Sequence, residues 1–197
     1  MNDLKGKRVA IIVTDGFEQI EMTSPREALE KAGAKCVLIA PKAGQVQGFK
    51  HHDKQDKFNV DMTLDSADPA QFDAVMLPGG VINADAIRIE KKAQQFVQEM
   101  DRAGKPVAVI CHGPWLLVSA GLVRGHTITS WPTLQDDLRN AGATWKDSEC
   151  IRDGSWVSSR KPDDLPAFNR EIVKTLEELR PGKGARAESR DSIEVRS

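Results

Sequence analysis

Three apolar runs of strand length, Val9 to Val13, Cys36 to Ala40 and Val107 to Cys111, punctuate a chain whose intervening segments carry helical periodicity. Runs so short cross one layer of a sheet but not a bilayer, which takes about 18 apolar residues in succession. They are rich in Val and Ile and lack alternating polar positions. Such strands are buried on both faces, as in a parallel sheet covered by helices. The expected architecture is therefore α/β with a mainly parallel central sheet. With 197 residues, 40% of them hydrophobic, the chain fits one compact domain. Residues 1–180 are expected to form it. Residues 181–197, where Gly, Arg, Ser and Glu follow one another without periodicity, are expected to be a disordered tail.

Between the strands, Ser24-Pro25-Arg26-Glu27 reads as a helix start, with Ser as N-cap and Pro at the first helical position, and Gly33 as its stop. The polar stretch from Lys42 to Asp65 reads as a β excursion whose best strand is Phe58 to Met62. A long helix is expected from Ala84 to Arg102, with Ile89, Ala93, Phe96, Val97 and Met100 on its core face. Asp153-Gly154 between two short arms signals a hairpin. The last helix is expected from Pro166 to Leu179.

Charge narrows the function classes. Lys and Arg number 28 against 29 Asp and Glu, a formal net charge of -1. No basic excess points to nucleic acid or to an anionic membrane. Three widely spaced cysteines form neither a disulfide framework nor a C-x-x-C motif. With Asp3 among the first charges and no adequate apolar segment after it, the start does not read as a signal peptide, and the expected location is the cytoplasm. His51-His52-Asp53 lacks further Cys or His to complete a ligand set, so no metal site is expected.

The chemistry concentrates in Val107-Ala108-Val109-Ile110-Cys111-His112-Gly113-Pro114. A polar nucleophile directly after a buried strand, followed by Gly and a helix, is the layout of a nucleophile elbow. The turn lifts the side chain above the carboxyl edge of the sheet, where open α/β folds bind ligands. Amides at the following helix start favour thiolate. A buried structural cysteine is the competing reading. Leu77-Pro78-Gly79-Gly80 supplies unobstructed amides at the same edge, suited to an oxyanion pocket. The loop Asp15-Gly16-Phe17-Glu18 brings a carboxyl to a third strand end.

Read together with Ile20-Glu21, Thr129-Ser130-Trp131-Pro132, Ser155-Trp156-Val157-Ser158-Ser159-Arg160 and Asp164-Leu165-Pro166, these motifs resemble PfpI-type members of the ThiJ/PfpI superfamily over about residues 7–179. That group includes the Parkinsonism-associated deglycases. The resemblance implies a flavodoxin-like three-layer sandwich, assembled as a homodimer or a higher homo-oligomer. It implies Cys111 as nucleophile, Glu18 as the glutamate contacting its sulfur, and His112 as a catalytic partner. The amides of Gly80 and His112 match its oxyanion pocket, within the Gly79-Gly80 turn. Asp85 is the nearest match to the acid that protease-like members borrow from a neighbouring subunit.

The implied activity is a stress-protective one on reactive carbonyls such as methylglyoxal or its adducts on proteins, with no cofactor. Two rivals remain: a PfpI-type cysteine peptidase, and a redox sensor whose low-pKa thiol oxidises with little turnover.

Overall fold

The computed structural model describes residues 4–178. The expected tail at 181–197, like Leu179 at the end of the last helix, lies outside the described residues. In chain order the strands are β1 (Arg8–Ile12), β2 (Phe17–Glu18), β3 (Lys35–Ala40), β4 (Gln45–Lys50), β5 (Asp53–Asn59) and β6 (Met62–Thr63). They continue with β7 (Ala74–Leu77), β8 (Val107–Ile110), β9 (Thr127–Ile128), β10 (Thr144–Trp145), β11 (Cys150–Asp153) and β12 (Trp156–Ser159). The helices are α1 (Gln19–Lys31), α2 (Val81–Ile87), α3 (Lys91–Arg102), α4 (Pro114–Ser119), α5 (Gln135–Asn140) and α6 (Leu165–Glu178).

The central sheet has seven strands in the order β11-β12-β8-β7-β1-β3-β6. Every neighbouring pair is parallel except the β11–β12 hairpin, which turns at Gly154. The apolar tetrapeptides account for this. All four residues of β7 and of β8 are buried, so alternate side chains feed two cores on opposite faces. On one face Val75, Leu77, Val107 and Val109 join Ala93, Phe96, Val97 and Met100 of α3. On the other, Met76, Ala108 and Ile110 join Met22 and Leu29 of α1 and Phe168, Ile172 and Leu176 of α6. Helices thus cover both faces, in three layers. The structure bears out the α/β reading with its mainly parallel sheet.

Strand order reverses between β1 and β7: β1 leads outward to β3, whereas β7 leads the other way to β8. Loops at such a switch point splay apart and leave a crevice at the carboxyl ends of the strands. Residues 13–18, 78–80 and 111–113 meet there.

Several local expectations are corrected. Helix α1 begins at Gln19, five residues before Ser24, and Pro25 lies within it. A proline there lacks the N–H that would bond the Glu21 carbonyl. Its ring is buried against the core, and packing outweighs the lost bond. The long helix expected from Ala84 to Arg102 is two helices, α2 and α3, broken around Arg88 to Glu90. Ile89, assigned to the core face, is 73% exposed at that break. The β excursion is the antiparallel pair β4–β5, turning at His51 with φ of 57°, rather than a strand at Phe58 to Met62.

Candidate active site

Cys111 follows the last residue of β8 with φ of +61°, a left-handed conformation costly for any residue with a Cβ. The backbone is pinned on both sides: Cys111 N–H donates to Ser159 O at 3.1 Å, and Trp131 N–H donates to Cys111 O at 2.9 Å. Gly113 N–H closes the turn on Ile110 O at 2.9 Å before α4 begins. This is the elbow expected from the sequence, and it turns the side chain away from the strand direction. Cys111 is nevertheless only 7% exposed.

Against the sulfur stands a carboxyl, and it belongs to Glu21 rather than Glu18. Glu21 sits in the first turn of α1 and is fully buried. One of its oxygens, Oε2, accepts the Gly79 N–H at 3.0 Å. The other, Oε1, has no hydrogen-bond partner among the described residues, and the carboxyl as a whole stands against the Cys111 thiol. Burial, with the nearby Glu18 charge, pushes the Glu21 carboxyl up to about 8. Glu18 itself faces elsewhere. Its Oε2 accepts the His51 N–H at 2.9 Å, which ties β2 to the β4–β5 turn.

Burial is also the largest influence on Cys111, and with the Glu21 carboxylate it pushes the thiol up. The Gly80 and His112 N–H groups, both directed at the sulfur, pull it down. A freely standing low-pKa thiolate, expected from the helix start alone, is therefore not what this site holds. Sulfur and carboxyl form a coupled pair whose protons belong to both. When Glu21 keeps the proton, its contribution against thiolate disappears and the two N–H groups remain to stabilise the charge.

The turn after β7 is shaped by what it touches. A Cβ on Gly79 would fall 2.5 Å from Cys111 Cβ and 3.0 Å from its sulfur, and closer still to Glu21 Oε2. Gly80 has φ of +87°, which a side chain would resist. Of the two glycines, Gly80 alone has its N–H directed at the sulfur, because that of Gly79 is taken by Glu21.

His112 Nδ1 lies 3.2 Å from Cys111 Sγ. Its ring is stacked near Trp131 and edge-on to Trp115, with centroids 6.0 and 5.4 Å away. Burial pushes the imidazole down, so the ring is neutral at neutral pH. Asp85 lies on the exposed side of α2 and makes no hydrogen bond or ion pair among the described residues.

A groove of about 670 Å³ is walled by Glu18, Ile20, Phe49, Trp131, Lys50 and Lys161 among others; Cys111 itself is not in its wall. Trp131 links the two, since it stacks over His112. Motif reading singles out neither Glu21 as the proton partner nor this groove. A signal for Glu21 exists all the same: Glu21, Met22, Pro25 and Leu29 form one buried helical face, visible once α1 is started at Gln19. Among the described residues no cluster of three His, Cys, Asp or Glu side chains could hold a metal ion. Nor is any described helix long and apolar enough to cross a membrane.

Comparison with known proteins agrees with this geometry. The chain is 43% identical over 169 residues to Deglycase TK1284 of Thermococcus kodakarensis, covering 86% of this chain and 99% of the relative. It is 41% identical over 172 residues to Protein/nucleic acid deglycase 2 of Escherichia coli, covering 86% and 98%. A crystal structure of a two-domain protein from Anabaena variabilis, containing DJ-1/ThiJ/PfpI-like and ferritin-like domains, superposes with a TM-score of 0.82 at 34% identity. That match covers 86% of this chain and 48% of the Anabaena chain. The family model for DJ-1/PfpI matches residues 7–175. With an elbow cysteine at the switch point and relatives of this identity along nearly their whole length, the chain belongs to the DJ-1/PfpI family.

Proposed function

We propose that the chain is a cysteine-dependent deglycase that acts on methylglyoxal adducts carried by amines. The observation that carries this reading is the Cys111–Glu21 pair, in which a nucleophile and a carboxyl able to give and take a proton near neutral pH share one buried site. The relatives named as deglycases support it.

The chemistry balances without an external oxidant. With the proton on Glu21, the Cys111 sulfur attacks the carbinol carbon of the adduct, and the amine leaves carrying a proton. The product is a hemithioacetal. Glu21, once ionised, takes the proton from that carbon and returns it to the neighbouring one. The former carbonyl becomes an alcohol and the sulfur-bearing carbon becomes a thioester. Water cleaves the thioester to lactate and frees the thiol. One water is added overall, and the two redox changes cancel within the substrate. Gly80 N–H and His112 N–H stabilise the oxyanion that develops on the carbon attached to sulfur.

A groove of about 670 Å³ is far larger than a three-carbon dicarbonyl needs. Joined to the site through Trp131, which stacks near His112, it would hold the longer amine-bearing chain of an adduct and is not needed for free methylglyoxal. The test is release of lactate and free amine from a methylglyoxal-treated lysine peptide. Wild-type protein should convert it and Cys111→Ser should not; full conversion by Cys111→Ser at matched concentration overturns the reading.

The 3.2 Å contact between sulfur and His112 favours one alternative, a peptidase in which the imidazole relays the proton. Peptide cleavage that persists in the pure protein and vanishes in Cys111→Ala would establish it. We further read the protein as a homodimer. Ile20, Val81 and Ile82 are large apolar side chains about half exposed around the mouth of the site. A second copy covering α2 would also bring Asp85 beside a neighbouring site. Ile82→Asp should then give a monomer by light scattering. Three free cysteines fit a reducing compartment, and we assign the protein to the cytoplasm.

A further inference from the structure

Asn83 is a buried polar side chain that the mechanism above does not use, only 1% exposed in the first turn of α2. Its three hydrogen bonds all go to the loops that form the site. Oδ1 accepts the Thr14 N–H at 2.7 Å, just past the end of β1. Nδ2 donates to Pro78 O at 3.2 Å and to Gly79 O at 3.0 Å. Gly79 O also accepts the Glu18 N–H at 3.3 Å.

The consequence follows from peptide geometry. In a trans peptide the C=O and the N–H point in opposite directions. One side-chain amide therefore grips the oxygens of two successive peptides, and the two N–H groups of those peptides face the other way. The first, Gly79 N–H, meets Glu21 Oε2. The second, Gly80 N–H, meets the Cys111 sulfur. Two glycines in a row have no side chains to hold such an orientation, and Gly80 at φ of +87° has backbone alternatives close by. Asn83 supplies the restraint, anchored through Thr14 to the central strand.

We infer that Asn83 is a positioning residue: it clamps the Pro78–Gly79 and Gly79–Gly80 peptides so that the Gly80 N–H is aimed at the Cys111 sulfur and at the oxyanion formed there. Its bearing on turnover rests on the deglycase reading, but its effect on the thiol does not. The same clamp fixes the Gly79 N–H on the carboxyl that exchanges protons with the sulfur, so one side chain orders both donors of the turn.

The test measures Cys111 alkylation by iodoacetamide between pH 6 and 9, with peptide mapping to follow Cys36 and Cys150 in the same samples. Asn83→Asp retains an acceptor for Thr14 N–H and removes both donors to the glycine turn. Asn83→Ala removes them without adding charge. Loss of a hydrogen bond to a charged group predicts alkylation of Cys111 about tenfold slower at pH 7 in both variants, with its pH midpoint moved upward. Cys36 and Cys150 should be unchanged. If Cys111 keeps its rate within about twofold in the folded variants, or if all three cysteines react faster together, the side chain is structural only and the inference is overturned. Alkylation needs no turnover, so a wild-type protein that releases no lactate would overturn the proposed function and leave this result standing. Where lactate is released, the variants should lose kcat and keep KM.

Discussion

The carboxyl of Glu21 lies against the sulfur of Cys111, while that of Glu18, three residues earlier, turns outward to the His51 amide. The two glutamates sit one helical turn apart at the same strand end, and only the inner one stands against the thiol.

Substitution separates them. Glu21→Gln keeps an acceptor for the Gly79 N–H but cannot transfer a proton, so lactate formation should fall about 100-fold or more. Glu18→Gln keeps an acceptor for His51 and should change kcat by no more than about threefold. Steady-state rates on the glycated peptide decide the matter; equal losses in the two variants would mean that the inner carboxyl has no special part.

Alkylation of wild-type Cys111 should rise only above the ordinary thiol range, because burial and the Glu21 carboxylate both push the thiol up. Cys36 and Cys150, both pushed up to about 12 by burial and neighbouring carboxylates, should stay unreactive through that range. In Glu21→Gln, which removes the carboxylate's push, Cys111 should react at lower pH than in wild type. Mass-resolved rates at each cysteine check this.

Stability carries the same signature. Glu21 holds its proton up to about pH 8 in the folded protein, against an ordinary carboxyl value of 4.5. Its contribution to stability is thus complete below pH 4.5 and lost as the pH rises through 8. Between pH 5 and pH 9, Glu21→Gln should gain on wild type by a total on the order of 3–5 kcal/mol. Denaturant midpoints at the two pH values measure it, and a constant difference would show that the carboxyl is not buried in its charged form.

The left-handed elbow predicts a difference between two inactive variants. Cys111→Ala retains a Cβ at φ of +61°, whereas Cys111→Gly does not. The glycine variant should be the more stable by about 1 kcal/mol. Thermal unfolding of the pair isolates the backbone from the lost sulfur.

Gly79→Ala should fold poorly or expel the thiol from its seat, because the added methyl would sit 2.5 Å from Cys111 Cβ. A loss of at least about 1–3 kcal/mol and a changed rate of Cys111 alkylation are expected, read from denaturant midpoints and mass-resolved rates.

The central strands are legible in the sequence because Ala74 to Leu77 and Val107 to Ile110 are wholly apolar and run directly into Pro78 and Cys111. Cys111 stands out for the same reason: a reactive side chain directly after such a run has few other uses. The proton partner is displaced by one turn from its expected place because Ser24-Pro25 looks like a helix start, and local capping chemistry says nothing of a tertiary contact that extends α1 back to Gln19. The β4–β5 pair is only half visible. Most of β5 is exposed, so no alternation of apolar residues marks it. Asn83 gives no sign at all, since its meaning depends on two loops distant from each other in the chain.

The seat of the sulfur is tightly built: a side chain on Gly79 would meet Cys111 and Glu21, one on Gly80 would meet the Gly16 to Glu18 backbone, and Glu21 is fully buried. Variation at that depth can only abolish the reaction. A lineage seeking new substrates would more readily alter the outer walls, where Ile20, Lys50 and Lys161 line the groove away from the sulfur. Reactivity and selectivity are thereby separable properties of this molecule, one held by main chain and the other by side chains at the rim.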